Sequence, residues 1–383
     1  MKILSVVGAR PNFMKIAPFI RAIENYNKKN TGEIQHILVH TGQHYDVRMS
    51  EAFFRSLSIP DPDINLEIGS GSHAEQLGHT MIAFEKVLLL QRPDWVVVVG
   101  DVNATLACSV IAKRLNIKVC HIEAGLRSGD MTMPEEINRL VTDRLSDLLL
   151  TPDQLSSENL INEGTAISKI HFVGNIMIDT LESNRGEAAN LQLSTIIEKN
   201  LINGRKNPLP QIDNNSYCVI TLHRPSNVDS DEIFRPLTEF LLSEVTEDLI
   251  LIWPIHPRAR KQLNIMGLWE KVLSHPSLIL LEPVDYREML RLNMGARLVF
   301  TDSGGLQEEC CVLGTPCLTL RWNTERPVTL REHGGASVLV GNNLDKIRRE
   351  FHNTLSLVRN PSRPELWDGH TAERIVEIIV NVP

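Results

Sequence analysis

Trp95-Val96-Val97-Val98-Val99-Gly100-Asp101-Val102-Asn103-Ala104-Thr105 decides the fold class. Five consecutive apolar residues without alternation suit a strand buried on both faces. Glycine and aspartate stop the run, and a helical pattern over 105–115 follows. A strand passing through a short turn into a helix is the building unit of a parallel sheet. The same unit recurs on both sides. Strands are expected over 3–7, 34–39, 117–121 and 148–150, and helices over 13–24 and 73–91. The first half thus reads as a doubly wound α/β domain.

The polar stretch 200–215 interrupts this alternation. It contains Lys206-Asn207-Pro208-Leu209-Pro210, ends in Asp213-Asn214-Asn215, and reads as an exposed loop. A second series of apolar runs follows at 217–222, 249–253, 278–281, 298–301, 317–320 and 337–340. The expectation is two Rossmann-like domains in tandem, 1–172 and 173–365, with a hinge near 172–180. The length of 383 residues exceeds what one hydrophobic core usually serves. Composition, 42% apolar and 22% charged, is that of a globular protein. The net charge of −8 argues against a nucleic-acid partner. The N-terminal run reads as a strand rather than a signal sequence, and no apolar stretch has the length of a membrane span. A cytoplasmic protein with no membrane partner is expected. The six cysteines, Cys108, Cys120, Cys218, Cys310, Cys311 and Cys317, show no ligand-type spacing and read as buried free thiols.

Ligands of open parallel sheets bind beyond the carboxyl ends of the strands, and the unusual polar residues of this chain follow strands. After the first come Gly8-Ala9-Arg10-Pro11-Asn12-Phe13-Met14-Lys15. Arg10 and Lys15 flank a helix start, where free N–H groups already favour an anion; solvated cations are the plainer alternative. Asp101 reads as a helix N-cap or as a carboxylate aimed into a cleft. Glu123 sits in His121-Ile122-Glu123-Ala124-Gly125-Leu126-Arg127, a run where burying a carboxylate without a task is costly. In Met133-Pro134-Glu135-Glu136-Ile137-Asn138-Arg139, Pro134 suits a first helical turn. Glu135 and Arg139, four apart, share a helix face, either as a surface ion pair or as a carboxylate oriented by its arginine. His223 and His256 occupy equivalent positions after successive strands of the second series.

Thr301-Asp302-Ser303-Gly304-Gly305-Leu306-Gln307-Glu308-Glu309 carries the strongest local signal. A strand ends, two glycines permit close approach of a ligand, and a helix N-terminus offers N–H groups to a phosphate. Glu309 is placed to hold ribose hydroxyls, and Arg321 or Arg326 to add a forked phosphate contact. No P-loop, zinc-ligand spacing or nucleophile elbow is present, and Gly69-Ser70-Gly71-Ser72-His73-Ala74 lacks a strand–turn–helix setting and reads as a loop. The expectation is an enzyme without cofactor or metal.

Taken in order, Gly8-Ala9-Arg10-Pro11…Lys15, Gly100-Asp101, His121-Ile122-Glu123-Ala124-Gly125-Leu126-Arg127, Pro134-Glu135-Glu136-Ile137-Asn138-Arg139, Asp302-Ser303-Gly304-Gly305…Gln307-Glu308-Glu309 and Thr324-Glu325-Arg326-Pro327 closely resemble the non-hydrolysing UDP-N-acetylglucosamine 2-epimerases. The resemblance spans nearly the whole chain. It implies a GT-B-like fold, two Rossmann-like domains facing across a cleft, with the last helix, within 366–383, packing back on the first. It implies interconversion of UDP-GlcNAc and UDP-ManNAc through elimination of UDP and its re-addition to a 2-acetamidoglucal, supplying activated ManNAc for cell-surface polysaccharide. By matching positions, Asp101, Glu123, Glu135 and His223 resemble the catalytic groups, with Arg139 orienting Glu135. Arg10 and Lys15 resemble phosphate or sugar contacts, Ser303, Gly304, Gly305 and Glu309 the UDP cradle, Arg326 a further substrate contact, and His256 and Met289 UDP-proximal positions. A homodimer is also implied. The chain departs from many members at Ala9, Asn12 and Arg224-Pro225-Ser226, and at Gln43-His44-Tyr45-Asp46, where regulated bacterial members carry an arginine. The Ala-Arg-Pro variant is similar to epimerases of UDP-diacetamido-uronic acids. A GT-B glycosyltransferase using a UDP-sugar is the other alternative.

Overall fold

The computed structural model describes residues 1–30, 33–42 and 59–382, without the side chains of Arg10 and Pro11. Gln43-His44-Tyr45-Asp46 lies outside the described residues. The chain divides into two compact units, one of residues 1–183 and 364–383, the other of 184–363.

The first unit carries a parallel sheet. Its strands are β1 (Lys2–Val7), β2 (Gln35–His40), β3 (Ile64–Asn65), β4 (Trp95–Val99), β5 (Lys118–Ile122), β6 (Leu148–Thr151) and β7 (Ile170–Phe172), in spatial order β3-β2-β1-β4-β5-β6-β7. Every pairing is parallel. The order reverses between β1 and β4, which makes that junction the topological switch point. Residues of β4 are buried on both faces, which explains why Trp95–Val99 is apolar throughout. The helices are α1 (Arg10–Lys29), α2 (His73–Gln91), α3 (Asn103–Arg114), α4 (Pro134–Leu145), α5 (Gln154–Asn162) and α6 (Ile176–Asn190). The Gly69–Ser72 loop ends in a capping box: Ser72 Oγ accepts from the Glu75 amide, and the Glu75 carboxylate accepts from the Ser72 amide. Phe84 and Leu88 of α2 pack with Val96, Val98 and Cys108 in the core beneath the sheet.

The second unit repeats the plan with β8 (Tyr217–Thr221), β9 (Ile250–Pro254), β10 (Leu278–Leu281), β11 (Leu298–Thr301), β12 (Cys317–Thr319) and β13 (Ser337–Leu339), ordered β10-β9-β8-β11-β12-β13. Alternate residues of β8 enter different cores: Cys218 and Ile220 pack on one face, Tyr217 and Val219 on the other. Its helices include α7 (Leu193–Asn200), α8 (Asp231–Phe240), α9 (Pro257–Ile265), α10 (Tyr286–Gly295), α11 (Gly304–Leu313) and α12 (Leu344–Leu355). The six cysteines are buried and free.

The stretch read as an exposed loop is anchored at its start. Ile202 is buried, Leu201 bridges to Leu281, and Arg205 donates to the carbonyls of Pro276 and Leu278. Polar composition hid an arginine that satisfies backbone carbonyls at a strand start.

Residues 364–383 return to the first unit. The Trp367 indole N–H donates to the Pro152 carbonyl. The terminal helix α13 (Thr371–Asn381) packs on α1, and Asp179 of α6 accepts from the amides of Thr371 and Ala372. A carboxylate thereby serves the free N–H groups of a helix start from another element.

Candidate active site

At the switch point of the first unit, β1 runs into α1 and β4 into the Gly100–Asp101 turn. Asn12 ties the two: its Oδ1 accepts from the amides of Gly8 and Ala9, and its Nδ2 donates to the Val99 carbonyl at 2.8 Å. Lys15, on the first turns of α1, forms a buried ion pair with Glu123. Glu123 follows β5 and has φ +74°. A non-glycine residue held there stores strain, a condition that clusters at functional sites. A side chain at Gly100 would lie 3.1 Å from Glu123 Oε2 and 3.2 Å from Lys15 Nζ, and φ there is +66°, so glycine is what the turn accepts.

Asp101 meets Arg139 of α4. The guanidinium donates from Nε at 3.0 Å and Nη2 at 2.6 Å to one oxygen, Oδ2. Asn138 donates to the Asp101 carbonyl at 2.8 Å. Arg139 also pairs with Glu136, three residues before it and buried. Glu136 accepts further from the amides of Ser128 and Gly129. Burial opposes its ionisation, but those amides and Arg139 hold its carboxyl below the usual range.

The expected partnership of Arg139 with Glu135 is therefore corrected. Helical spacing allows a partner at either three or four residues; the buried one takes the arginine, and Glu135 is exposed. Arg139 orients Asp101.

In the second unit, β8 leads to His223 and β11 to Asp302, again at the switch point. Asp302 is fully buried and lies 2.7 Å from His223 Nδ1. It also accepts from the backbone amides of His223 and Arg224 and from Asn227. Burial opposes its charge, yet His223 and these amides keep the carboxyl below the ordinary aspartate range. His256, after β9, caps α9 by accepting the Arg258 amide and lies 5.7 Å from the His223 ring.

Ser303, Gly304 and Gly305 open α11 without a side-chain cap. Arg326 reaches this helix start and pairs with Glu308 and Glu325, while Arg321 donates to Glu325 at 2.6 Å. A Cβ at Gly304 would lie 3.0 Å from both Arg326 Nη1 and Glu325 Oε1. Glycine is thus what lets the arginine approach the helix end. Two guanidiniums, each paired with a buried glutamate, therefore lie by a helix start of the kind that can receive an anion. Glu309, on the same helix, is buried beside Tyr286 and Asn293. Burial, and secondarily the charge of Glu308, push its carboxyl up to about 7 against those two partners. Met289 lies half-buried on α10 against the core.

The structure thus groups Lys15 with Glu123 and Arg139 with Asp101, and His223 lies near His256. It surrounds the α11 start with Arg326 and places Glu309 on that helix. Glu135 is exposed, with no such partner among the described residues, and of Arg10 only the backbone is described. Asp302 and Glu136 carry no role in the sequence reading; Asp302 stood within a quoted motif, and the strand end before it was the available signal. Among the described residues, no group of three His, Cys, Asp or Glu is placed to hold a metal. No helix of the described residues is long and apolar enough to cross a membrane.

The profile of the UDP-N-acetylglucosamine 2-epimerase family matches residues 27–380. The chain belongs to this family. Among relatives of this epimerase is the UDP-N-acetylglucosamine 2-epimerase of Methanocaldococcus jannaschii, 43% identical over 99% of both chains. A UDP-2,3-diacetamido-2,3-dideoxy-D-glucuronate 2-epimerase of Pseudomonas aeruginosa is 36% identical over 100% of both. The crystal structure of the M. jannaschii enzyme in complex with UDP-GlcNAc and UDP superposes with a TM-score of 0.87, at 40% identity and full coverage of both chains. The GT-B-like class of two parallel-sheet α/β domains expected from the sequence is the class of these structures.

Proposed function

We propose that this epimerase interconverts UDP-GlcNAc and UDP-ManNAc by eliminating and re-adding UDP. Two observations carry the reading, one on each unit. One strand edge presents Asp101 and Glu123, each held by a cation. Another presents an anion cradle at the start of α11 beside an aspartate-held histidine. The C2 hydrogen of such a sugar is not beside a carbonyl, so simple enolisation is closed. A carboxylate, Asp101, Glu123 or Glu135, removes the C2 proton. The C–H electrons form the C1–C2 double bond as the C1–oxygen bond breaks, and UDP leaves with that pair. The cradle, Arg326 and His223 stabilise the departing diphosphate. Return of a proton to the opposite face of C2, and of UDP to C1, completes the inversion. The reading requires one substrate to engage both half-sites. It includes a homodimer in the cytoplasm and a role in supplying activated ManNAc for polysaccharide, both carried by the family resemblance.

Incubation with UDP-GlcNAc alone in D2O, followed by proton NMR, tests it. Deuterium at C2 and a second epimer without added acceptor are expected; an unchanged spectrum sinks the reading. A related substrate, a UDP-diacetamido-uronic acid, is favoured by Ala9-Arg10-Pro11 and by the P. aeruginosa relative. Side-by-side turnover of the two nucleotide-sugars decides between them.

A further inference from the structure

His121 of β5 has no solvent exposure and no part in the chemistry above. Its ring nevertheless connects the segments that bear the acids. Nδ1 lies 2.6 Å from Asp143 Oδ1, and Nε2 lies 2.8 Å from the carbonyl oxygen of Gly100. That carbonyl belongs to the peptide preceding Asp101. Asp143 Oδ2 accepts from the Gly125 amide at 3.1 Å, in the turn that begins with Glu123. Asp143 lies on α4, one turn beyond Arg139, which holds Asp101. Arg127 donates to Asp143 at 2.7 Å and reaches Glu163 with two further bonds.

Three segments therefore meet on the His121–Asp143 pair: the Gly100–Asp101 turn through the ring, the Glu123–Gly125 turn through the Asp143 carboxylate, and α4, which carries Asp143. The two ring nitrogens reach oxygen atoms at opposite ends of the imidazole. An amide side chain can serve only one of the two. The second turn also holds the non-glycine Glu123 at φ +74°, a conformation that surrounding structure has to maintain. Burial strengthens each bond of such a network and raises the cost of leaving one unmade.

We propose that His121 is a positioning residue that, with Asp143, sets the separation and aim of Asp101 and Glu123. The inference rests on the reading that these acids act on the sugar. Displacement of a reacting group by about 1 Å costs roughly 100-fold in rate.

The test uses the full chain with His121→Gln, His121→Phe and Asp143→Asn, each checked for folding by near-ultraviolet circular dichroism. The readouts are kcat and KM for UDP-GlcNAc and the affinity for UDP, bound by residues of the other unit. For the folded His121 variants, kcat is expected to fall roughly 100-fold while UDP affinity stays within about threefold. Asp143→Asn is expected to move kcat in the same direction. Folded variants that keep kcat within about threefold of wild type overturn the proposal. Parallel loss of kcat and UDP affinity does so too, as does failure of all three variants to fold, because each marks a general structural role. A wild-type protein that shows no C2 exchange with either nucleotide-sugar defeats the functional reading instead.

Discussion

The buried carboxylate of Asp302 holds Nδ1 of His223 at 2.7 Å, while the ring itself is 44% exposed. One face of the histidine is fixed by the protein core and the other is offered to solvent. The carboxylate selects the tautomer with hydrogen on Nδ1 and so leaves the lone pair on Nε2. Asp302→Asn keeps the shape but lets the amide present a donor to the ring. Epimerisation is expected to drop by roughly 100-fold, the order of loss seen when an orienting group is mis-set. The NMR assay reads it, and an unaltered rate removes Asp302 from the account.

Lys15 and Glu123 form a buried pair, with side chains 7% and 4% exposed. Lys15→Met deprives Glu123 of this cation inside the protein. Removing one partner of such a pair costs about 3–5 kcal/mol, and urea unfolding should show the loss. The double change Lys15→Met with Glu123→Gln should recover most of it, since the buried carboxylate charge is gone as well. Equal stability of single and double variants contradicts this.

Glu309 titrates near pH 7 because burial disfavours its charge. A carboxyl with a raised pKa binds its proton more tightly in the folded chain than in the unfolded one. Its contribution to stability is therefore greatest below the ordinary glutamate range and is lost as pH rises through about 7. Glu309→Gln removes the titration. The variant should gain on wild type between pH 5 and pH 8 by up to about 3 kcal/mol. A pH-independent difference between the two unfolding curves refutes the assignment.

Gly304→Ala places a methyl 3.0 Å from Arg326 Nη1 and Glu325 Oε1. The arginine must shift from the helix start. UDP affinity is expected to weaken by roughly tenfold, one charge-assisted hydrogen bond's worth, with folding intact. Calorimetric titration with UDP measures this, and undiminished binding excludes Arg326 from the cradle.

Much of the fold was legible because both sheets are parallel and doubly covered. The runs at 278–281 and 298–301 coincide with β10 and β11. The strands that escaped reading, Ile64–Asn65 and Ile170–Phe172, are short, lie at the sheet edges and are only partly buried, so no apolar run marks them. The site was legible wherever a polar residue directly follows a strand, as at Gly100-Asp101 and His223. What holds those residues was not. Asp143 is 22 positions from His121, and Asp302 is 79 from His223. No local pattern announces such partners. Arg139 illustrates the limit within one helix: the spacing admitted Glu135 or Glu136, and only burial chose.

The return of residues 364–383 to the first unit bears on the order of synthesis. The second unit is encoded without interruption, whereas the first is encoded in two pieces on either side of it. Until α13 is made, α1 lacks the helix that packs on it. A chain broken off before Pro364 would therefore leave the surface of α1 that α13 covers bare to chaperones and proteases.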